Sequence, residues 1–327
     1  MTETADQSVL SPRDLLDPQM AVAMDKMGEI STALGAMPQN PDFAQQRARM
    51  LAEKAYWNDD PVSVASCMDI TVRGPFREIP VRIYRPGHIV PLHAIIHFHG
   101  GGWVKGSPES HDRIGRVLAN ESGAVVFSID YALSPERKFP EPLDECVAAV
   151  CAISEAAKSL GIKGSRLVLA GDSAGGNLAL ATALDLRESY PGLIAGLLLF
   201  YGVFDCDFDT ASYHAFGGGE FGLSRDDMMA YWRTYIADGA DGSDPRASVL
   251  RADLRGLPPT HLCAAGLDVL RDETLDMNER MQAAGVVTDL KRYKGVCHGF
   301  LGLGRGVDAG DDAIANAAAF ARTCFAS

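Results

Sequence analysis

The feature that most constrains the fold is a series of short, nearly continuous apolar segments separated by polar or helix-forming sequence. The segments are residues 94–98, 124–129, 167–170, 197–200 and 262–265. Continuous apolar runs of this length are typical of strands that are buried on both faces. Because such strands alternate with helices here, the pattern predicts an α/β fold with a mainly parallel sheet.

The sequence on either side of this series indicates further elements. Alternating apolar residues at 70–72 and 79–84, around Gly74-Pro75, predict an antiparallel hairpin. A last strand is predicted at 289–293, followed by a closing helix over the alanine-rich residues 311–325. Helical spacing runs from about Pro12 to Tyr56, and residues 205–244 interrupt the alternation with a glycine turn and an amphipathic aromatic stretch. We interpret that interruption as an insertion over the sheet.

Composition excludes several classes of protein. With 327 residues and 47% hydrophobic content, the chain can bury a full core and is not globally disordered. A net charge of −13 repels phosphate backbones and anionic lipids, so we expect neither nucleic acid nor membrane as a partner. Seven scattered cysteines without C-x-x-C spacing argue against a disulfide framework or a zinc site. Residues 1–10 lack the features of a secretory signal, and we expect a cytoplasmic protein.

The strongest chemical motif is the pentapeptide Gly171-Asp172-Ser173-Ala174-Gly175, a G-x-S-x-G pattern. It directly follows the apolar segment 167–170 and precedes a helical segment at 177–186. A sharp strand-to-helix turn lifts the serine hydroxyl above the sheet, and the following helix directs its free amides towards a developing oxyanion. The motif therefore predicts Ser173 as a nucleophile and the Ala174 amide as an oxyanion donor.

A serine nucleophile needs a base and a carboxylate that orients the base. Among the eight histidines, His298 stands out because it follows the last predicted strand, where a loop can reach back over the sheet. Asp268 follows the segment 262–265, whereas Asp272 and Glu273 fit better as residues of a first helical turn. Cys297, beside His298, fits a small packing residue better than a second nucleophile.

The run His99-Gly100-Gly101-Gly102 follows another apolar strand. Its glycines let backbone amides approach a ligand closely, which suits the second half of an oxyanion hole. His97 and His99 superficially offer metal ligands, but glycines stand where further ligands would be needed. No G-x-G-x-x-G pattern opens a helix after the first strand. We therefore expect neither a metal nor an organic cofactor.

Together these motifs make the sequence resemble the hormone-sensitive-lipase-like (bacterial family IV) carboxylesterases of the α/β-hydrolase superfamily, from about residue 67 onwards. The resemblance rests on the glycine run, the pentapeptide with Gly176, the segment Asp268–Glu273 and His298-Gly299-Phe300. The chain order serine, aspartate, histidine also matches that superfamily. The resemblance implies that Ser173 is the nucleophile, His298 the base and Asp268 its partner. It further implies that the oxyanion hole consists of the amides of Gly101, Gly102 and Ala174.

For the architecture, the resemblance implies an α/β-hydrolase fold: a mostly parallel eight-stranded sheet flanked by helices, with a helical cap. Residues 1–55 would form an N-terminal cap segment, 56–204 the first part of the core, 205–244 the cap insertion, and 245–327 the rest of the core. It also implies that two copies of the chain can pair as a homodimer.

The expected activity is that of a serine carboxylic-ester hydrolase that forms an acyl-serine intermediate. Six aromatic residues near strand ends or in the insertion are candidates to line an apolar cleft for small or short- to medium-chain esters: Trp103, Tyr201, Phe204, Phe216, Trp232 and Phe300. Two alternatives remain. The same residues serve amide, lactone, carbamate or thioester hydrolysis, and the fold can also act as a non-catalytic small-molecule receptor.

Overall fold

An eight-stranded sheet organises the protein, as the apolar segments predict. The computed structural model describes residues 11–88, 92–240 and 242–326. The spatial order of the strands is β1-β2-β4-β3-β5-β6-β7-β8. Strands β1 and β2 form an antiparallel hairpin, β2 pairs antiparallel with β4, and all other neighbours are parallel. The strands span Ser66–Arg73, Glu78–Arg85, Leu92–Phe98, Val125–Ile129, Ile162–Asp172, Ile194–Phe200, Thr260–Leu267 and Thr288–Cys297.

Helices flank this sheet, which confirms the predicted fold class. Helix α3 packs on α10, while α4 packs on α6. The central strands are buried along almost their whole length, because helices cover the apolar side chains that they carry. The helices span Pro18–Ala33 (α1), Phe43–Asn58 (α2), Asp112–Ser122 (α3), Glu141–Glu155 (α4), Ala157–Leu160 (α5), Ala174–Ser189 (α6), Ala211–Phe216 (α7), Arg225–Tyr235 (α8), Arg271–Ala283 (α9) and Asp308–Ala326 (α10).

Two N-terminal helices lie where the apolar spacing predicts them. The Asp17 carboxylate caps α1, and Asp42 and Gln45 form a capping box at the start of α2. Arg47 of α2 donates hydrogen bonds to Glu136 and to the Val104 carbonyl, which fixes α2 beside the loop after β3. Residues 1–10, the start of the predicted N-terminal cap segment, lie outside the described residues.

The C-terminal elements are longer than their sequence patterns indicate. Strand β8 continues to Cys297, four residues beyond the predicted end, so His298 directly follows the strand. Helix α10 begins at Asp308 rather than 311. All seven cysteines are free. Within the described ranges, every helix is too short or too polar to cross a lipid bilayer.

Candidate active site

The turn between β5 and α6 presents Ser173. This residue has φ 56° and ψ −123°, a strained backbone conformation for a residue with a side chain. The turn is tight because α6 begins immediately after Ser173 and packs closely on the end of β3. A Cβ on Gly175 would lie 1.9 Å from the Phe98 carbonyl oxygen, so only glycine fits there. The flanking glycine thus permits the turn that exposes the serine hydroxyl.

Three side chains from separate strand ends form one hydrogen-bonded chain. His298 Nε2 lies 2.9 Å from Ser173 Oγ, and His298 Nδ1 lies 2.7 Å from Asp268 Oδ2. Asp268 is only 2% exposed, and its other oxygen accepts a hydrogen bond from the Leu270 amide at 3.0 Å. Because the carboxylate can only accept, the Nδ1 proton faces Asp268 and Nε2 is free to accept the serine proton. This arrangement suits a serine nucleophile with a base and an orienting acid.

The glycine run after β3 lies beside Ser173. Tyr131 donates a hydrogen bond to the His99 carbonyl at 2.8 Å, and Asp172 Oδ1 accepts one from the Gly100 amide at 3.1 Å. Gly101 and Gly102 have φ of 123° and 62°, which side chains rarely adopt. Within the described ranges, the amides of Gly101, Gly102 and Ala174 donate to no other residue. These three donors remain available to a ligand.

Asp172 is a site residue that our reasoning from the sequence missed. It is buried, and His97 Nε2 and His111 Nε2 each lie 3.4 Å from its carboxylate. Burial alone would raise the pKa of Asp172, but the neighbouring imidazoles of His111 and His97 outweigh it and hold the pKa well below the usual value. An acidic side chain next to the nucleophile, at a buried strand end, was the signal available in the sequence.

The histidines near this carboxylate are packed rather than arranged around a metal. His99 stacks on Tyr131 with ring centroids 4.4 Å apart, and its Nδ1 contacts the Gly100 carbonyl at 2.9 Å. Burial lowers the pKa of His99 to about 3, which keeps the ring neutral. In the described part of the chain, no three His, Cys, Asp or Glu side chains are grouped to hold a metal ion.

A cavity of about 360 Å³ opens over the serine. Of the six aromatic residues expected to line it, only Tyr201 does so, with its ring 4.9 Å from that of His298. The other five are buried elsewhere in the core: Trp103, Phe204, Phe216, Trp232 and Phe300. All of them except Phe204 pack on one another or on neighbouring rings, as Trp103 does on Tyr235. Helix α2 and residues 222–231 supply much of the wall instead, through Met50, Lys54, Gly222, Leu223, Asp227, Met228 and Tyr231.

Comparison with known proteins places this geometry among esterases. Residues 95–302 match a family model described as alpha/beta hydrolase fold. An acetyl esterase of Salmonella paratyphi A is 33% identical over 310 residues, covering 93% of this chain and 95% of the relative. An ester hydrolase from the Lake Arreo metagenome, solved with a bipyridine phosphonate derivative, has a TM-score of 0.89 at 36% identity, covering 95% of this chain and 100% of that one. An esterase of Pyrobaculum calidifontis has a TM-score of 0.86 at 32% identity. That match covers 95% of this chain and 100% of the esterase.

Proposed function

The chain belongs to the hormone-sensitive-lipase-like carboxylesterases of the α/β-hydrolase family, and we propose that it hydrolyses small esters through an acyl-enzyme on Ser173. It is a serine carboxylic-ester hydrolase. The observation that carries the assignment of residues is the hydrogen-bonded chain from Ser173 through His298 to Asp268, with the hydroxyl facing the cavity.

In the first half of the reaction, Ser173 Oγ attacks the ester carbonyl carbon while His298 Nε2 accepts the hydroxyl proton. Asp268 keeps the ring oriented and stabilises the imidazolium that forms. The carbonyl oxygen becomes an oxyanion, which accepts hydrogen bonds from the amides of Gly101, Gly102 and Ala174. When the tetrahedral intermediate collapses, the ester C–O bond breaks and the alcohol leaves with the proton from His298.

In the second half, water attacks the acyl-serine. His298 Nε2 accepts a proton from the water, the same amides stabilise the second oxyanion, and Ser173 leaves as its hydroxyl with that proton. One ester and one water thus give one acid and one alcohol. Protein groups supply every proton transfer and all of the charge stabilisation in these steps.

The cavity supports a preference for small substrates. Its volume of about 360 Å³ is near the lower end of the usual range for small-molecule sites. Tyr231, Met228 and Met50 bound it with bulky side chains. The Salmonella relative is named an acetyl esterase, which agrees with a short acyl group. We therefore assign short- to medium-chain esters as substrates.

We further propose that residues 1–55 and part of 205–244 form the cap over this cavity. Met50 and Lys54 of α2 line it from one of these segments, and Leu223, Met228 and Tyr231 line it from the other. The described parts of both segments lie outside the sheet. Together they enclose the substrate on the side opposite the strand ends.

The test is hydrolysis of a p-nitrophenyl ester series, from acetate to palmitate, by the wild-type protein and Ser173→Ala, with and without chelator. We expect activity that peaks at short chains, is insensitive to the chelator, and falls by at least about 10³-fold in Ser173→Ala. Ser154→Ala is the matched control, because Ser154 lies on α4, does not line the cavity, and donates its hydroxyl to the Gly164 carbonyl of β5. A folded Ser173→Ala protein with wild-type turnover would refute the proposal.

A further inference from the structure

Lys54 is a cationic side chain in the cavity wall whose charge the proposed reaction does not use. It lies on α2 and lines the cavity together with Ser173 and His298. Lys26 and Lys138, by contrast, have acidic partners, Glu29 and Asp238. Among the described residues, no hydrogen-bond acceptor or carboxylate is paired with Lys54 Nζ. Its hydrogen-bonding capacity therefore remains open to a ligand.

A close contact with Gly302 shows where the Lys54 ammonium group lies relative to His298. A Cβ on Gly302 would lie only 3.3 Å from Lys54 Nζ. Gly302 belongs to the short helical turn Phe300–Leu303 that comes directly after His298 and Gly299. Lys54 Nζ thus lies beside the turn that follows His298, in the wall of the cavity that Ser173 and His298 also line.

Two carboxylates act electrostatically on Lys54, those of Asp172 and Glu53, but neither bonds to it; Glu53 pairs with Arg49 instead. Burial lowers the pKa of Lys54, and the negative charge of Asp172 opposes that change. The Asp172 carboxylate, however, already accepts from the Gly100 amide and lies between two imidazoles. Lys54 is half-buried, and an incoming anion can stabilise a partly desolvated ammonium group that has no hydrogen-bonded partner.

The other charges of the cavity favour an anion as that partner. Lys105 also lines the wall, with its Nζ over the Tyr231 ring at 5.3 Å. The Asp227 carboxylate is engaged in the capping box with Ser224 at the start of α8. Both acidic side chains of the wall are thus hydrogen-bonded within the protein, while the two lysines have no carboxylate partner among the residues that the structure describes.

We propose that Lys54 Nζ binds a carboxylate of the substrate, so that short esters bearing a carboxylate are preferred over neutral esters of the same size. This inference rests on the proposed function, since it places the second contact in the same cavity as Ser173. A carboxylate is small enough for a cavity of about 360 Å³ beside a short ester, and it accepts a charge-assisted hydrogen bond from a single ammonium donor. The contact selects among substrates and takes no part in the proton transfers.

The experiment compares kcat/KM for two matched pairs of esters. In the first pair, mono-4-nitrophenyl glutarate carries a carboxylate on the acyl side and 4-nitrophenyl pentanoate is its neutral counterpart. In the second pair, 4-acetoxybenzoate carries the carboxylate on the alcohol side and its methyl ester is the neutral counterpart. In Lys54→Met, the ratio of kcat/KM for the charged ester to kcat/KM for the neutral ester should fall at least tenfold for one of the two pairs. The pair that responds identifies whether Lys54 contacts the acyl side or the alcohol side of the substrate. Lys54→Arg should keep most of the ratio, because it retains the charge.

Lys105→Met is the matched control, since it removes the same charge from the same wall. Its ratio should change much less than that of Lys54→Met. An equal fall in both variants would mean that only the overall charge of the cavity matters, and would overturn the proposal. An unchanged ratio in Lys54→Met, or an equal loss on charged and neutral esters, would also overturn it. If neither the charged nor the neutral ester of any pair is hydrolysed in a Ser173-dependent manner, the proposed function itself fails instead.

Discussion

Replacing Gly101 by alanine tests the proposed oxyanion loop. Gly101 has a φ of +123°, and a Cβ there would lie 2.0 Å from the Lys105 carbonyl oxygen. That oxygen cannot retreat freely, because the Val104 and Lys105 amides both donate to the Gly101 carbonyl, at 3.2 and 3.0 Å. The added methyl group therefore forces the turn open rather than moving a flexible side chain.

The size of the effect follows from this geometry. Relief of the contact needs a shift of roughly 1 Å, and misplacement of that size at a reacting centre can cost about 100-fold in rate. Loss of one oxyanion donor costs about 100- to 1000-fold in kcat, or about 2.7–4 kcal/mol. The unfavourable backbone conformation costs a further ~1–3 kcal/mol of folding free energy. We expect a folded but destabilised enzyme whose kcat is at least about 100-fold lower.

The assay is the steady-state hydrolysis of p-nitrophenyl acetate, with thermal unfolding measured on the same samples. Gly123→Ala is the control: Gly123 also has a positive φ, at the end of α3, but a Cβ there meets nothing within 4 Å. This variant should lose some stability and keep its kcat. If Gly101→Ala retains the wild-type kcat, the assignment of the Gly101 loop as an oxyanion hole is wrong.

Two further predictions concern buried polar groups. Burial raises the pKa of Glu273 to about 8. Between about pH 4.5 and 8, the folded state therefore keeps a proton that the unfolded chain releases. The free energy of unfolding then falls as the pH rises through this range. Glu273→Gln should remove that fall in melting temperature between pH 5 and 8; an unchanged pH slope would contradict this. The Tyr235 hydroxyl is buried without a hydrogen-bond partner among the described residues, so Tyr235→Phe should stabilise the fold by about 1 kcal/mol in chemical denaturation. A loss of stability would show that the hydroxyl has a partner.

The sheet was predictable because its signal is local. Each continuous apolar segment becomes a strand through the residues that it contains, and a parallel sheet brings all the carboxyl ends of its strands to one edge. Ser173, Asp268 and His298 follow β5, β7 and β8, so their meeting follows from topology once the strands are recognised. For the same reason the glycine run after β3 could be placed next to them.

The cavity wall was not predictable, because it depends on packing between distant segments. Helical spacing indicates α2 but does not say which of its residues face the site, and Met50 and Lys54 were missed. The prediction for the aromatic residues failed for a related reason. Position near a strand end does not fix the direction of a side chain, and five of the six rings turn into the core, where they bury more apolar surface.

The packing of two of those rings, Trp103 and Trp232, links the proposed cap to the proposed chemistry. Trp103 follows Gly102 and stacks on Tyr235 with ring centroids 4.1 Å apart, while Trp232 packs edge-on at 5.0 Å. A Cβ on Gly102 would meet the Tyr231 ring at 2.5 Å. All three partners belong to α8, so the insertion covers the loop that carries the proposed oxyanion donors. Because these buried rings must separate before α8 can move away, a cap motion that displaced α8 would also disturb the amides of Gly101 and Gly102.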